Sequence, residues 1–112
     1  MLIYKIFRAD EWSELNAAGQ TLGAPIDLTD GYIHFSTAAQ AAETAAKHFA
    51  GVRGLILAAV DAGTLGDALK WEPSRGGALF PHLYRALHLS EVQWHADLPL
   101  DEGLHCFPER MA

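Results

Sequence analysis

The sequence predicts an α+β fold, and three observations carry that prediction. Two helix-period segments, near residues 10–19 and 38–50, both lie in the first half of the chain. A run of strand-forming residues precedes each of them. The second half is a series of short extended runs interrupted by Gly, Pro and Asp. The order is therefore β-α-β-α followed mostly by β, with the two main helices near the N-terminus. A chain of 112 residues suits one domain spanning 1–112.

Leu2 to Phe7 reads as a first strand, apolar on both faces apart from Lys5, as a covered strand would be. Asp10 and Glu11 place acid at the start of the first helix, where the macrodipole favours it. Trp12, Leu15 and Ala18 or Gly19 share a stripe, and Gly19 is a C-terminal stop. Gln20 to Thr29, with Gly23, Pro25 and Asp27, reads as a connection. After the turn pair Asp30-Gly31, Tyr32 to Ser36 is a short strand. Period-two alternation puts Tyr32, His34 and Ser36 on one face, and Ile33 and Phe35 on the other. Thr37 suits an N-cap, with Gln40 completing a capping box.

The second helix, Ala38 to Ala50, stops at Gly51 and carries a narrow stripe of Ala38, Ala41, Ala42, Ala45, Ala46 and Phe49. Glu43 and Lys47 are spaced for an i,i+4 pair, and His48 sits where a cation suits the helix end. Gly54 to Val60 is a doubly buried strand, broken at Asp61-Ala62-Gly63; Thr64 to Leu69 reads as a helical turn. Lys70-Trp71-Glu72 reads as an edge strand ended by Pro73, and Ser74 to Gly77 as a turn. Leu79 to Tyr84 is extended and puts His82 and Tyr84 on one face. Leu87 and Leu89 have one parity, Val92, Trp94 and Ala96 the other, so a bulge or break is expected near Ser90-Glu91. Leu104 to Phe107 is a last short strand.

A formal charge of −6 argues against a nonspecific grip on nucleic acid, which needs a basic surface. It leaves room for a small phosphorylated ligand held by local arginines. The lone Cys106 cannot form an internal disulfide, there is no basic leader before a long apolar run, and no stretch approaches the ~20 apolar residues of a membrane span. A cytoplasmic protein is the expectation; nothing indicates the oligomeric state.

The six histidines lack metal-ligand spacing, and no nucleophile elbow, P-loop or dinucleotide fingerprint occurs, so no metal is expected. Four constellations are left. His34 with Tyr32 and Ser36, beside the helix start at Thr37 and Gln40, would bind or protonate a ligand; the alternative is a hydrogen-bonded histidine between sheet and helix. His82 with Phe80 and Tyr84 would form a second wall of the same cleft, or else be half-buried strand residues. Trp71 and Glu72 would supply a stacking surface and a carboxylate, against the alternative of a core tryptophan. Arg75 would clamp a phosphate through its fork, or simply sit solvated in its turn.

At Asp30-Gly31-Tyr32-Ile33-His34-Phe35-Ser36-Thr37 and at Phe80-Pro81-His82-Leu83-Tyr84 the chain resembles the domain of unknown function 952 family, small bacterial proteins of a single domain. That family is in turn similar in fold to the ADP-ribosyltransferases, including the RNA 2′-phosphotransferase branch. The resemblance implies an ADP-ribosylation-like split sheet around a cleft shaped in active relatives for NAD, with nicotinamide near the His-x-Ser strand. It implies NAD or another ADP-ribose-containing compound as ligand or substrate, and no other cofactor. His34 and Ser36 would position ribose or nicotinamide, Tyr84 would stack, and His82 or Glu72 would assist proton or charge transfer. Where active relatives carry His or Arg on the first strand this chain has Lys5, and Pro81-His82-Leu83-Tyr84 has no carboxylate where many carry the catalytic glutamate. An enzyme, a binding module that has lost the chemistry, and a protein-interaction domain all stay open.

Overall fold

The computed structural model describes residues 1–74 and 76–111. The chain begins with β1 (Leu2–Phe7) and α1 (Ala9–Ala18), which ends on Gly19 at φ 78°, the left-handed conformation expected of a C-cap glycine. A two-residue strand β2 (Gln20–Thr21) follows, then α2 (Pro25–Asp30). The segment expected to be a plain connection thus holds a helical turn and a half. Pro25 opens it at a position that needs no N–H, and Gly31 closes it at φ 87°.

The central strand is shorter than its composition suggests. Only β3 (Ile33–His34) is ladder-paired, and Ser36 makes a single bridge to Tyr4, with N–O distances of 2.8 Å in both directions. α3 (Ala38–His48) starts at the Thr37–Gln40 capping box: Thr37 Oγ1 accepts from the Gln40 backbone N–H at 3.3 Å, and Gln40 Oε1 accepts from that of Thr37 at 3.0 Å. Of the alanine stripe, Ala41 and Ala45 are buried, whereas Ala38, Ala42 and Ala46 face solvent. A methyl stripe wider than the contact adds helix propensity rather than core. Glu43 and Lys47 pair at 3.1 Å.

β4 (Leu55–Asp61) is buried along most of its length, as a strand covered on both faces must be. Two single 3₁₀ turns, Ala62–Thr64 and Gly66–Ala68, lead to β5 (Leu69–Ser74). Pro73 does not end this strand. β5 is the edge of its sheet, and an edge strand tolerates a missing N–H on its outer side. β6 (Ala78–Leu83), β7 (Leu87–His88), a 3₁₀ turn at Leu89–Glu91 and β8 (Val92–Leu98) follow. That turn is the break the parity change called for. The small hairpin β9 (Leu100–Asp101) and β10 (Leu104–His105) closes the chain.

These strands form two antiparallel three-stranded sheets, β1-β4-β8 and β3-β6-β5, with two two-stranded pairs beside them. The class is α+β. Both faces of the first sheet are covered. Ile3, Phe7, Ala58 and Val60 pack with Leu15 of α1 and with Ile33 and Leu83 of the second sheet. Tyr4, Ile6, Leu55, Leu57 and Ala59 pack with Ala45 of α3 and Leu98. Lys5 shares its parity with Ile3 and Phe7, so the first sheet presents an ammonium towards the second.

The cap at Thr37 orients the helix that covers this sheet. Thr37→Ala is expected to lose ~1 kcal/mol of stability in urea denaturation, and Thr37→Ser to retain most of it.

Candidate functional site

The site is built on a buried carboxylate. Asp27, on α2, is 1 % exposed. Its Oδ2 accepts from Lys5 Nζ at 2.8 Å and from the backbone N–H of Ala24 at 2.7 Å. Its Oδ1 lies 2.6 Å from His34 Nδ1 and accepts from the His34 backbone N–H at 3.1 Å. One side chain therefore ties together β1, the 23–24 loop and β3. Burial pushes the Asp27 carboxyl up, but the hydrogen bond from His34, the charge and hydrogen bond of Lys5, and the Ala24 N–H outweigh it and bring it down to about 2. The loop passes close enough that a Cβ on Gly23, which has φ 98°, would fall 2.1 Å from Asp27 Oδ2. Only glycine fits there.

His34 has a second acid partner: its Nε2 is 3.0 Å from Asp30 Oδ2. Ionised carboxylates only accept, so the two contacts are hydrogen bonds together when both ring nitrogens carry protons. In the β3–β6 ladder His34 is opposite His82, and the two rings meet edge to face at 5.3 Å. His82 is buried, and its Nδ1 is 2.8 Å from Glu72 Oε1 on the neighbouring strand β5. Tyr84 donates its hydroxyl to the same oxygen at 2.7 Å. The hydrogen bonds from Tyr84 and then His82 hold the Glu72 carboxyl below its usual range. The bond to Glu72 pushes the Tyr84 hydroxyl up to about 12, so it stays protonated. Tyr32 stacks on His82 at 4.2 Å and touches His34 and Tyr84 at 4.7 and 5.1 Å. Burial, then the nearby Asp30 and Glu72, raise its hydroxyl too.

Above the histidines opens a cavity of about 980 Å³ between the sheets, α1, α2 and α3. Lys5, Asp30, His34, Phe80 and His82 line it, with Arg8, Glu11 and Glu14 on the α1 side and Thr44, His48 and Phe49 on the α3 side. The volume is at the upper end of small-molecule sites, roughly 300–1,000 Å³.

Tyr32, His34, Glu72, His82 and Tyr84 form one contiguous cluster, of which His34 and His82 line the cavity, whereas Tyr32 and Tyr84 border a separate, smaller pocket and Glu72 lines neither. Glu72 reaches His82 from the next strand, which spacing alone did not reveal. Other expected residues lie elsewhere. Ser36 does not line the cavity; its Oγ is 2.9 Å from Oγ1 of Thr44, which does. Thr37 and Gln40 bond each other, and Gln40 Nε2 donates to the Leu79 carbonyl at 2.8 Å. Trp71 is no core tryptophan: it is 39 % exposed on the edge strand and does not line the cavity. Arg75 lies outside the described residues. Asp27 and Asp30 were missed as site residues. The one local cue, Pro25 followed by acid two and five residues on, fits a helix start but is masked by Gly23 and Pro25, which read first as a loop. Among the described residues no group of three or more His, Cys, Asp or Glu is placed to hold a metal ion, and no helix is long and apolar enough to cross a membrane.

Residues 6–95 match the family described as protein of unknown function (DUF952), and the chain belongs to it. The chain is similar to protein CC0527 from Caulobacter crescentus. The crystal structure of that protein superposes with a TM-score of 0.95 at 52 % identity, covering 99 % of this chain and 98 % of that one. Its solution NMR structure superposes with a TM-score of 0.83 at 56 % identity, over 92 % and 90 %. No curated protein matches the chain.

The depressed carboxyl of Asp27 makes stability depend on acid in one window. A group whose folded value is lower than its unfolded one stabilises above the unfolded value, here the ordinary 3.8, and stops doing so as pH falls towards about 2. On the order of 2 kcal/mol is expected to be lost between about pH 4 and 2. Asp27→Asn should flatten that part of the urea-midpoint-versus-pH curve. It should also lower stability at pH 7 by roughly 3–5 kcal/mol, since Lys5 is left buried without its counter-charge.

Proposed function

We propose that the cavity binds a nucleotide-like small molecule, NAD or another ADP-ribose-containing compound, in a cleft of ADP-ribosyltransferase-like form. The observation that carries this reading is the histidine pair. His34 and His82 meet on adjacent strands beside a cavity of nucleotide size, and each is backed by a carboxylate. A histidine oriented by an acid is suited to proton transfer, because the acid fixes the ring and stabilises the imidazolium that forms. Two separate three-stranded sheets flanking the cavity suit the split-sheet form. In this reading His34 shapes the wall against ribose or nicotinamide, with Tyr32 packed against the two imidazole rings outside the cavity, and His82 with Glu72 is the acid–base centre. The net charge of −6 speaks for a small ligand rather than a nucleic acid.

One observation favours a second reading, a binding module without turnover. Glu72 does not line the cavity, and its Oε1 is engaged by His82 and Tyr84. An oxocarbenium-like ribose would then lack a facing carboxylate from that strand.

An amide-resolved NMR titration with NAD, ADP-ribose and nicotinamide separates these readings. Saturable shifts clustered at residues 32–40 and 79–84 are expected with NAD and ADP-ribose. Free nicotinamide accumulating over hours from NAD, and absent with His82→Ala, makes the protein an enzyme; shifts without nicotinamide make it a binder. No shift at millimolar ligand refutes the nucleotide reading altogether.

A further inference from the structure

The two facing histidines differ in one respect that assigns them different work. Both ring nitrogens of His34 are within hydrogen-bond distance of carboxylates, at 2.6 Å from Asp27 and 3.0 Å from Asp30. Both nitrogens of that ring are thus taken up by protein carboxylates, and neither is free for a ligand. His82 has one acid partner, at Nδ1. Its Nε2 has no hydrogen-bond partner among the described residues, although the side chain is 3 % exposed and lines the cavity. The two nitrogens of an imidazole diverge, so the nitrogen turned away from Glu72 is the one available to an occupant of the cavity.

Glu72 Oε1 takes two short contacts, the Tyr84 hydroxyl at 2.7 Å and His82 Nδ1 at 2.8 Å. A carboxylate cannot donate, so a neutral His82 in this contact bears its proton on Nδ1. We propose that Glu72 and Tyr84 hold His82 as the Nδ1–H tautomer, leaving Nε2 as the acceptor and base for a ligand hydroxyl. This rests on the cavity being a ligand site and adds which atom meets the ligand and what chemistry it requires there. In the transfer step the hydroxyl O–H bond breaks, the oxygen keeps the electron pair, and the proton forms an Nε2–H bond. The resulting imidazolium faces the Glu72 carboxylate. His82 is the base and Glu72 a positioning residue. The substrate class is a compound presenting a hydroxyl, such as a ribose, rather than one presenting only acceptor atoms.

The test is two-bond ¹⁵N–¹H correlation NMR of histidine-¹⁵N-labelled full-length protein, at a pH where His82 is neutral. The expected result is Nδ1 in the protonated range and Nε2 in the unprotonated range. In Glu72→Ala both resonances should move towards the averaged positions of a tautomer mixture. Glu72→Gln, whose amide oxygen still accepts, should restore much of the wild-type pattern, and an otherwise unchanged amide spectrum confirms folding of both variants. An Nε2–H tautomer in the wild type, or no response to Glu72→Ala, overturns the proposal. ADP-ribose should shift Nε2 towards the protonated range, while nicotinate, which presents only acceptor atoms near neutral pH, should leave it in place. An equal shift with nicotinate overturns the hydroxyl assignment. If neither compound moves any resonance, the nucleotide reading fails, and the tautomer alone then decides the role of Glu72.

Discussion

The Asp27 carboxylate, enclosed between two sheets and a short helix, is the constraint on which the site depends. A buried anion is costly unless charge and hydrogen bonds surround it. Here Lys5 from the first sheet, the Ala24 N–H from the loop, and both the ring and the backbone of His34 supply them. These four donors come from three separate parts of the chain, so the carboxylate sets their relative positions. Gly23 is required because the loop closes directly over the acid. A two-residue strand such as β3 is weak by itself, and this side chain is what holds its His34 in place.

From that anchor the order propagates through the ladder. His34 registered against His82 sets the distance between the rings, and β5 pairing with β6 brings Glu72 within reach of His82. Tyr32 fills the space between the rings and Tyr84, so the cluster is packed as well as hydrogen-bonded. The two histidines line the cavity together with Asp27 and Asp30, while Glu72 stands behind His82 outside it. A carboxylate placed behind an imidazole, as Glu72 is, orients it without competing for the occupant. The similarity to CC0527 spans almost all of both chains, so the architecture around this cluster is shared with a solved relative.

Several elements were legible from local rules. The Gly19 stop, the Thr37–Gln40 capping box, the covered strand 55–61 and the break near Ser90-Glu91 each follow from a few neighbouring residues. The helix at 25–30 was not, because six residues are too few for periodicity to register and Gly23 and Pro25 signal a loop first. Pro73 misled for a related reason: whether a proline ends a strand depends on what lies across its missing N–H, which is a property of the sheet. Trp71 likewise faces solvent because its strand is an edge.

The sequence by itself determined the α+β class, the order of the main elements and the pairing of two histidine motifs as candidate walls. Those depend on periodicity and turn chemistry, which act over a few residues. Tertiary structure alone decided that Asp27, 22 residues from Lys5, neutralises it, that Glu72 stands behind His82, and that Ser36 bonds Thr44. It also decided that His34 is saturated by acids while His82 keeps one nitrogen without a partner among the described residues. Hydrogen bonds and ion pairs act over about 3 Å, and only the folded register brings residues so far apart in sequence within that range.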